Sequence, residues 1–200
     1  MPETLWLQPT AALLLGYLLG SIPFGVLVTR MAGAGDVRRI GSGNIGATNV
    51  LRTGRKDLAA LTLLLDGGKG ALAYFLGEQI GSGLGIHAAA GAFLGHLFPL
   101  FLRFKGGKGV ATFFGLTLAM YWPIGLVFAA TWLLVLGLLR YSSLAGLAAA
   151  IASPVAAAWF GKFDLTLLFL AFALLVLWKH RENIARLLSG DEPRVGAAKA

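Results

Sequence analysis

Two glycine-rich segments that carry basic residues have the composition of phosphate-holding loops. The first, DVRRIGSGNIGATNVLRTGRKD at 36–57, places Gly41, Gly43, Gly46 and Gly54 among Ser42, Asn44, Thr48 and Asn49. Glycine tolerates positive φ and lets successive backbone N–H groups converge on an anion, and Arg38, Arg39 and Arg52 can add charge-assisted hydrogen bonds. The second, LGHLFPLFLRFKGGKGVAT at 94–112, brackets Gly106 and Gly107 with Lys105 and Lys108 immediately before a new apolar run. A helix starting there would offer N–H groups without intrahelical acceptors and the positive end of its dipole, with Lys108 beside them. Neither segment is a nucleotide motif. GSGNIG has the letters of G-x-G-x-x-G but follows an apolar span instead of a strand, and FKGGKGV does not fit G-x-x-x-x-G-K-[ST]. The plainer alternative for each is a basic loop that ends a span and rests near anionic lipid headgroups.

Other polar residues are fewer. Asp66 and Lys69 are spaced i, i+3 and can pair on one helix face. His96 lies in an apolar run near Phe98 and Pro99, the setting of a buried hydrogen-bonding partner. Ser142 and Ser143 follow Arg140 at the head of another apolar run, where either can cap a helix or meet a ligand. In WKHRENIARLLSG, His180 and Asn183 fall on one side if the helix continues, with Arg186 near the next turn.

The elements that must position these residues are membrane helices. Of 200 residues, 57% are hydrophobic and 13% charged, against roughly 25% charged in soluble domains. Mean hydropathy is +0.76. Cysteine is absent, which removes disulfides, thiolate metal sites and cysteine nucleophiles. Apolar runs at 11–29, 58–76, 86–102, 110–120, 124–139, 144–160 and 165–178 predict an all-α, polytopic helix bundle of about seven transmembrane helices. The run at 110–120 is brief for a span of about 20 residues, so five crossings plus a re-entrant pair is the alternative. One membrane-embedded domain over 1–188 and a short polar tail over 189–200 are expected. The N-terminus carries Glu3 and no basic residue before the first apolar run, unlike a secretory signal peptide. All seventeen Lys and Arg residues except Lys69 and Lys162 fall in connections on one side, whereas Glu3, Glu78 and Asp164 fall on the other. The positive-inside rule then puts the N-terminus outside and the C-terminus in the cytoplasm, with the polar loops facing the cytoplasm.

In its motifs the chain resembles the acylphosphate-dependent glycerol-3-phosphate acyltransferases of bacteria, the PlsY family. The resemblance rests on GSGNIGATN at 41–49, LGHLFPLFLRFKGGKGVAT at 94–112 and KHRENIARL at 179–187, supported by LDGGKG around Asp66 and Lys69 and by RYSSLA at 140–145. It implies transfer of a fatty acyl group from acyl phosphate to the 1-hydroxyl of glycerol 3-phosphate. The products are phosphate and 1-acyl-glycerol 3-phosphate (lysophosphatidic acid), the first acylation of phospholipid biosynthesis in the bacterial inner membrane. It also implies roles. Ser42, Lys108 and His180 are the catalytic candidates. Gly41, Ser42, Gly43, Asn44, Lys105, Gly106, Gly107 and Lys108 would bind the acyl phosphate, and Arg52, Ser143, His180 and Asn183 the glycerol 3-phosphate. Thr48, Asn49, Asp66, Lys69 and His96 would support them. The proton of the attacking hydroxyl would go to His180 or to the acceptor's own phosphate. The H-x4-D motif of better-known glycerolipid acyltransferases is missing, since Ala92, Phe101 and Ala185 stand five residues after His87, His96 and His180.

Two phosphate-bearing substrates account for two basic glycine-rich elements, and a mixed anhydride is already activated, so no cofactor or metal is expected. The nine acidic residues are scattered, unlike the clustered carboxylates of a metal-dependent phosphotransferase. A transporter for an anionic metabolite would need polar groups through the membrane interior, where only Asp66, Lys69 and His96 lie. The pI of about 10.2 is explained by topology and calls for no nucleic-acid partner.

Overall fold

A computed structural model describes residues 4–196, and every regular element among the described residues is helical. Glu3 and Lys199, used in the orientation argument, lie outside the described residues. The chain divides into two compact units, Met1–Met120 and Tyr121–Ala200.

The first unit contains α1 (Thr4–Gly20), α2 (Phe24–Met31), α3 (Ala47–Val50), α4 (Lys56–Ile80), α5 (Gly85–Leu97) and α6 (Val110–Met120). The apolar run 11–29 is interrupted between α1 and α2 because Pro23 cannot donate a helical hydrogen bond. The Ile22 carbonyl freed at the break accepts from Lys69 Nζ at 2.8 Å. α1 packs chiefly on α5 and α4 on α6. The α1–α5 crossing is a reciprocal pair of G-x-x-x-G faces, Gly16 and Gly20 against Gly91 and Gly95. A methyl group on any of the four would overlap backbone of the opposite helix, so the absence of side chains is what allows the approach. Gly95→Val is therefore expected to cost about 1–3 kcal/mol through overpacking. Thermal unfolding of the purified variant in detergent measures this, and an unchanged midpoint would show that the helices can separate without penalty.

The second unit contains α7 (Trp122–Leu139), α8 (Ser142–Trp159), α9 (Phe163–Lys179) and α10 (Arg181–Ser189), with α8 packed on both α7 and α9. α8 buries a stripe of small residues that includes Ala145, Ala149, Ser153 and Ala157 at helical spacing. The helix read through 179–187 does not run straight, because α9 and α10 meet at His180 with a 60° bend. Nor is the tail beyond 188 separate. Val195 N donates to Arg140 O at 2.7 Å, the Arg140 guanidinium donates back to Val195 O, and Arg194 Nε donates to Tyr141 Oη at 3.2 Å.

Among the described residues, five helical segments are long and apolar enough to cross a membrane, or six if the bent pair α9–α10 counts as one span. α6, at 11 residues, is about 16 Å long, roughly half the hydrocarbon thickness. A seventh crossing would have to be made by α6 at that length.

Candidate active site

The loop between α2 and α4 is organised around Asn49, which is buried. Its Nδ2 lies 2.8–2.9 Å from the carbonyl oxygens of Val37, Ile40 and Asn44. Its Oδ1 accepts from Ser42 N at 3.2 Å and from Ser42 Oγ at 3.4 Å. Gly43 N donates to Ile40 O, and Gly46 N to Asn44 Oδ1. These amides therefore turn inward, and the loop is not the open cradle of N–H groups expected from its glycines. The Asn49 side chain, with donors and an acceptor, ties the loop together, and Ser42 N, Gly43 N and Gly46 N are satisfied within it by Asn49 Oδ1, Ile40 O and Asn44 Oδ1. Outward, the loop presents the exposed residues Ser42 and Arg52. Gly41 has φ +55, and a methyl group there would overlap both the Arg52 guanidinium and Asn49 Oδ1, so Arg52 lies across the backbone next to Ser42. Arg38 is less available than the sequence implies. Its Nε and an amino nitrogen donate to Asp36, which also takes Arg30 at 2.7 Å, and these cations hold the Asp36 carboxyl well below the usual carboxylate range. Thr48 is exposed at the second position of α3.

The second segment is pinned to the ends of α1 and α5. Tyr17 Oη donates to Phe98 O at 2.8 Å, and Leu100 N to Ser21 Oγ at 3.4 Å. Arg103 and Phe104 both adopt left-handed backbone, φ 51 and 63, a conformation that costs about 1 kcal/mol or more per residue without glycine. That turn delivers the exposed Lys105, then Gly106 and the buried Gly107, and then the half-buried Lys108 at the entry to α6. Beneath lie Asp66 and Lys69 on α4 and His96 on α5, all buried. Lys69 Nζ to Asp66 Oδ1 is 2.7 Å.

In the second unit the polar residues converge on one carboxylate. Glu192 Oε1 accepts from Ser143 Oγ and from Asn183 Nδ2, each at 2.6 Å, and Oε2 accepts from Arg186 Nε at 2.7 Å. Ser143 thus donates to Glu192, while Tyr141 is the N-cap of α8 and makes no side-chain cap. Burial alone would raise the Glu192 pKa, but the hydrogen bonds from Ser143, Asn183 and Arg186 hold it below the ordinary 4.5, so the group is an anion at neutral pH. His180, buried at the α9–α10 bend, has Nδ1 2.8 Å from Val176 O. A carbonyl only accepts, so in the neutral ring Nδ1 carries the proton and Nε2 keeps its lone pair. Sequence reasoning missed Glu192 because it lies in a tail read as solvated. The one available signal is an acidic residue nine positions after Asn183, within a chain's reach of it. Among the described residues, no three His, Asp or Glu side chains gather as a metal-ion set.

Comparison with known proteins shows the family. The family described as glycerol-3-phosphate acyltransferase matches residues 10–190. A glycerol-3-phosphate acyltransferase of Maricaulis maris is 59% identical over 186 residues, covering 92% of this chain and 86% of that protein. One from Rhodopseudomonas palustris is 56% identical over 190 residues, covering 94% and 97%. The crystal structure of PlsY (YgiH), an integral membrane glycerol 3-phosphate acyltransferase, in its glycerol 3-phosphate form superposes with a TM-score of 0.89. Identity is 35%, over 94% of this chain and 96% of that one.

Proposed function

Since the chain belongs to the glycerol-3-phosphate acyltransferase family and is an integral membrane acyltransferase of phospholipid biosynthesis, we propose that it uses acyl phosphate as donor and forms 1-acyl-glycerol 3-phosphate and phosphate. The observation that carries the donor reading is the delivery of Lys108 to a point just before the N-terminus of α6 by a strained, glycine-rich turn. A cation at a helix N-terminus suits both a bound phosphate and the oxyanion that forms on the acyl carbon.

In this reading the 1-hydroxyl oxygen attacks the acyl carbonyl carbon, and the tetrahedral intermediate collapses by breaking the bond to the phosphate oxygen. Phosphate leaves with both electrons of that bond. The donor is a mixed anhydride with a stable leaving group, so orientation and charge stabilisation suffice. Ser42, through its hydroxyl, and Lys108 hold the donor. Lys105, Gly106 and Gly107 complete that loop, while Gly41, Gly43 and Asn44 shape the turn that carries Ser42. For the acceptor, Arg52 takes the phosphate. Ser143 and Asn183, both oriented by Glu192, face the glycerol hydroxyls, and His180 Nε2 is a nitrogen able to take the hydroxyl proton. The charge asymmetry supports an N-terminus outside, a cytoplasmic C-terminus, and chemistry at the cytoplasmic face of a bacterial inner membrane, with α6 as the short segment among seven.

The test is formation of 1-acyl-glycerol 3-phosphate from labelled glycerol 3-phosphate by purified protein, with acyl phosphate, acyl-CoA and acyl carrier protein thioester supplied separately. Product with acyl phosphate alone supports the reading. Product only with a thioester removes the donor assignment and leaves the family assignment standing. Arg52→Ala is expected to raise the acceptor KM by about 10-fold or more while changing kcat little, since a charge-assisted phosphate contact is lost. An unchanged acceptor KM in the folded variant would take Arg52 out of the site.

A further inference from the structure

His96 lies under the loop that carries Lys108, and its position there goes beyond filling space. Gly107 N donates to His96 O at 3.1 Å. A methyl group at Gly107 would overlap the His96 ring, with Nε2 as its nearest atom, and one at Gly106 would overlap the His96 carbonyl and the Pro99 ring. The loop backbone therefore lies directly on the imidazole, with no side chain between them. On the ring's other nitrogen, Nδ1 stands 3.6 Å from Asp66 Oδ1, the same oxygen that takes Lys69 Nζ, and both residues of that contact have side chains only 3% exposed. Lys69 in turn is tied to the Ile22 carbonyl. The sequence in space is thus an ionic anchor on α4, an imidazole on α5, two glycines seated against it, and Lys108 one residue later.

We propose that His96, with Nδ1 facing the Asp66 carboxylate, is a positioning residue that sets the backbone of Gly106 and Gly107 and thereby aims Lys108. An aliphatic residue could fill the same volume, but it would offer Asp66 no ring nitrogen. The glycines are required because only a chain without side chains can lie flat on the ring. This inference rests on the reading of Lys108 as the donor-binding cation.

The test is a double-mutant cycle. Wild type, His96→Ala, Gly107→Ala and the double variant are purified in detergent, and initial rates are measured against each substrate alongside the thermal midpoint. Each single change is expected to lower kcat/KM for acyl phosphate by about 10–100-fold, the range produced by a misplacement near 1 Å, while leaving the KM for glycerol 3-phosphate nearly constant. The double variant is expected to lose little more than the worse single, because ring and methyl act on one stretch of backbone. His96→Gln, which keeps a polar tip, is expected to recover part of the rate, and it carries the same cycle if His96→Ala does not fold. Losses that multiply, or wild-type kinetics in a folded His96 variant, overturn the proposal. Coupled losses that instead raise the glycerol 3-phosphate KM uphold the positioning role and remove the donor assignment of this loop.

Discussion

Lys108→Ala will lower turnover by about 10²–10³-fold, the effect of removing one preorganised charge from a developing oxyanion. The place of Lys108 matters as much as its charge. Lys108 is half-buried, enters at the start of an 11-residue helix, and is preceded by two residues held in left-handed backbone. Such strain persists only where surrounding contacts over-determine it, and here Tyr17 and Ser21 of the α1 end hold the stretch before it. Lys108→Arg keeps the charge but enlarges and flattens its carrier, so it should recover only part of the rate. Initial rates with acyl phosphate and labelled acceptor decide the matter, and full turnover in a folded Lys108→Ala protein would exclude Lys108 from the chemistry.

Glu192→Ala will be the most damaging change in the second unit. It removes the shared acceptor of Ser143, Asn183 and Arg186, leaves Arg186 without its counter-charge, and frees the tail that Val195 stitches to Arg140. Three charge-assisted hydrogen bonds, one from a partly exposed arginine, put the loss of stability at about 3 kcal/mol. Glu192→Gln should also cost stability, because an amide whose oxygen keeps Ser143 and Asn183 turns its NH2 toward the Arg186 guanidinium and carries no counter-charge. The pH dependence follows from the carboxyl's depressed value in the folded chain. The contribution is fully present above the ordinary 4.5 and is lost as pH falls through the lower folded value. Thermal unfolding between neutral pH and pH 4 reads both effects, and a Glu192→Ala midpoint equal to wild type at neutral pH would refute the role. The acceptor KM should rise with the loss, as Ser143 and Asn183 swing from their fixed directions.

Much of this is legible from residue order. The apolar runs and the charge gaps place α4, α7, α8 and α9 within a few residues, and 110–120 matches α6 residue for residue. The Asp66–Lys69 pair follows from spacing alone. What spacing does not carry is the choice each polar group makes among several partners. Glycines 41, 43 and 46 suggest outward amides, but one amide side chain, Asn49, collects the turn inward. The break at His180 has neither proline nor glycine to announce it. It forms where the imidazole returns to Val176 O and three carbonyls of α9 receive the His180 N–H at the cap. Glu192 is invisible because a carboxylate after a helix is ordinarily solvated, and only the closed geometry shows three donors waiting for it.

The link from Lys69 to the Ile22 carbonyl also constrains how the chain enters its bilayer. α4 carries an acidic and a basic residue near its middle, each costing about 2.5–3.5 kcal/mol at the centre of a lone helix. Its hydropathy is 1.2, against 2.1 for the segment 6–31. Alone, α4 is a poor candidate for release into lipid. Its lysine finds a carbonyl only where α1 gives way to α2, and its aspartate finds His96 only once α5 has been made. Insertion of α4 into lipid therefore costs least in the company of the broken first span and α5, which add the Ile22 carbonyl and His96 to the partners that Asp66 and Lys69 find in each other.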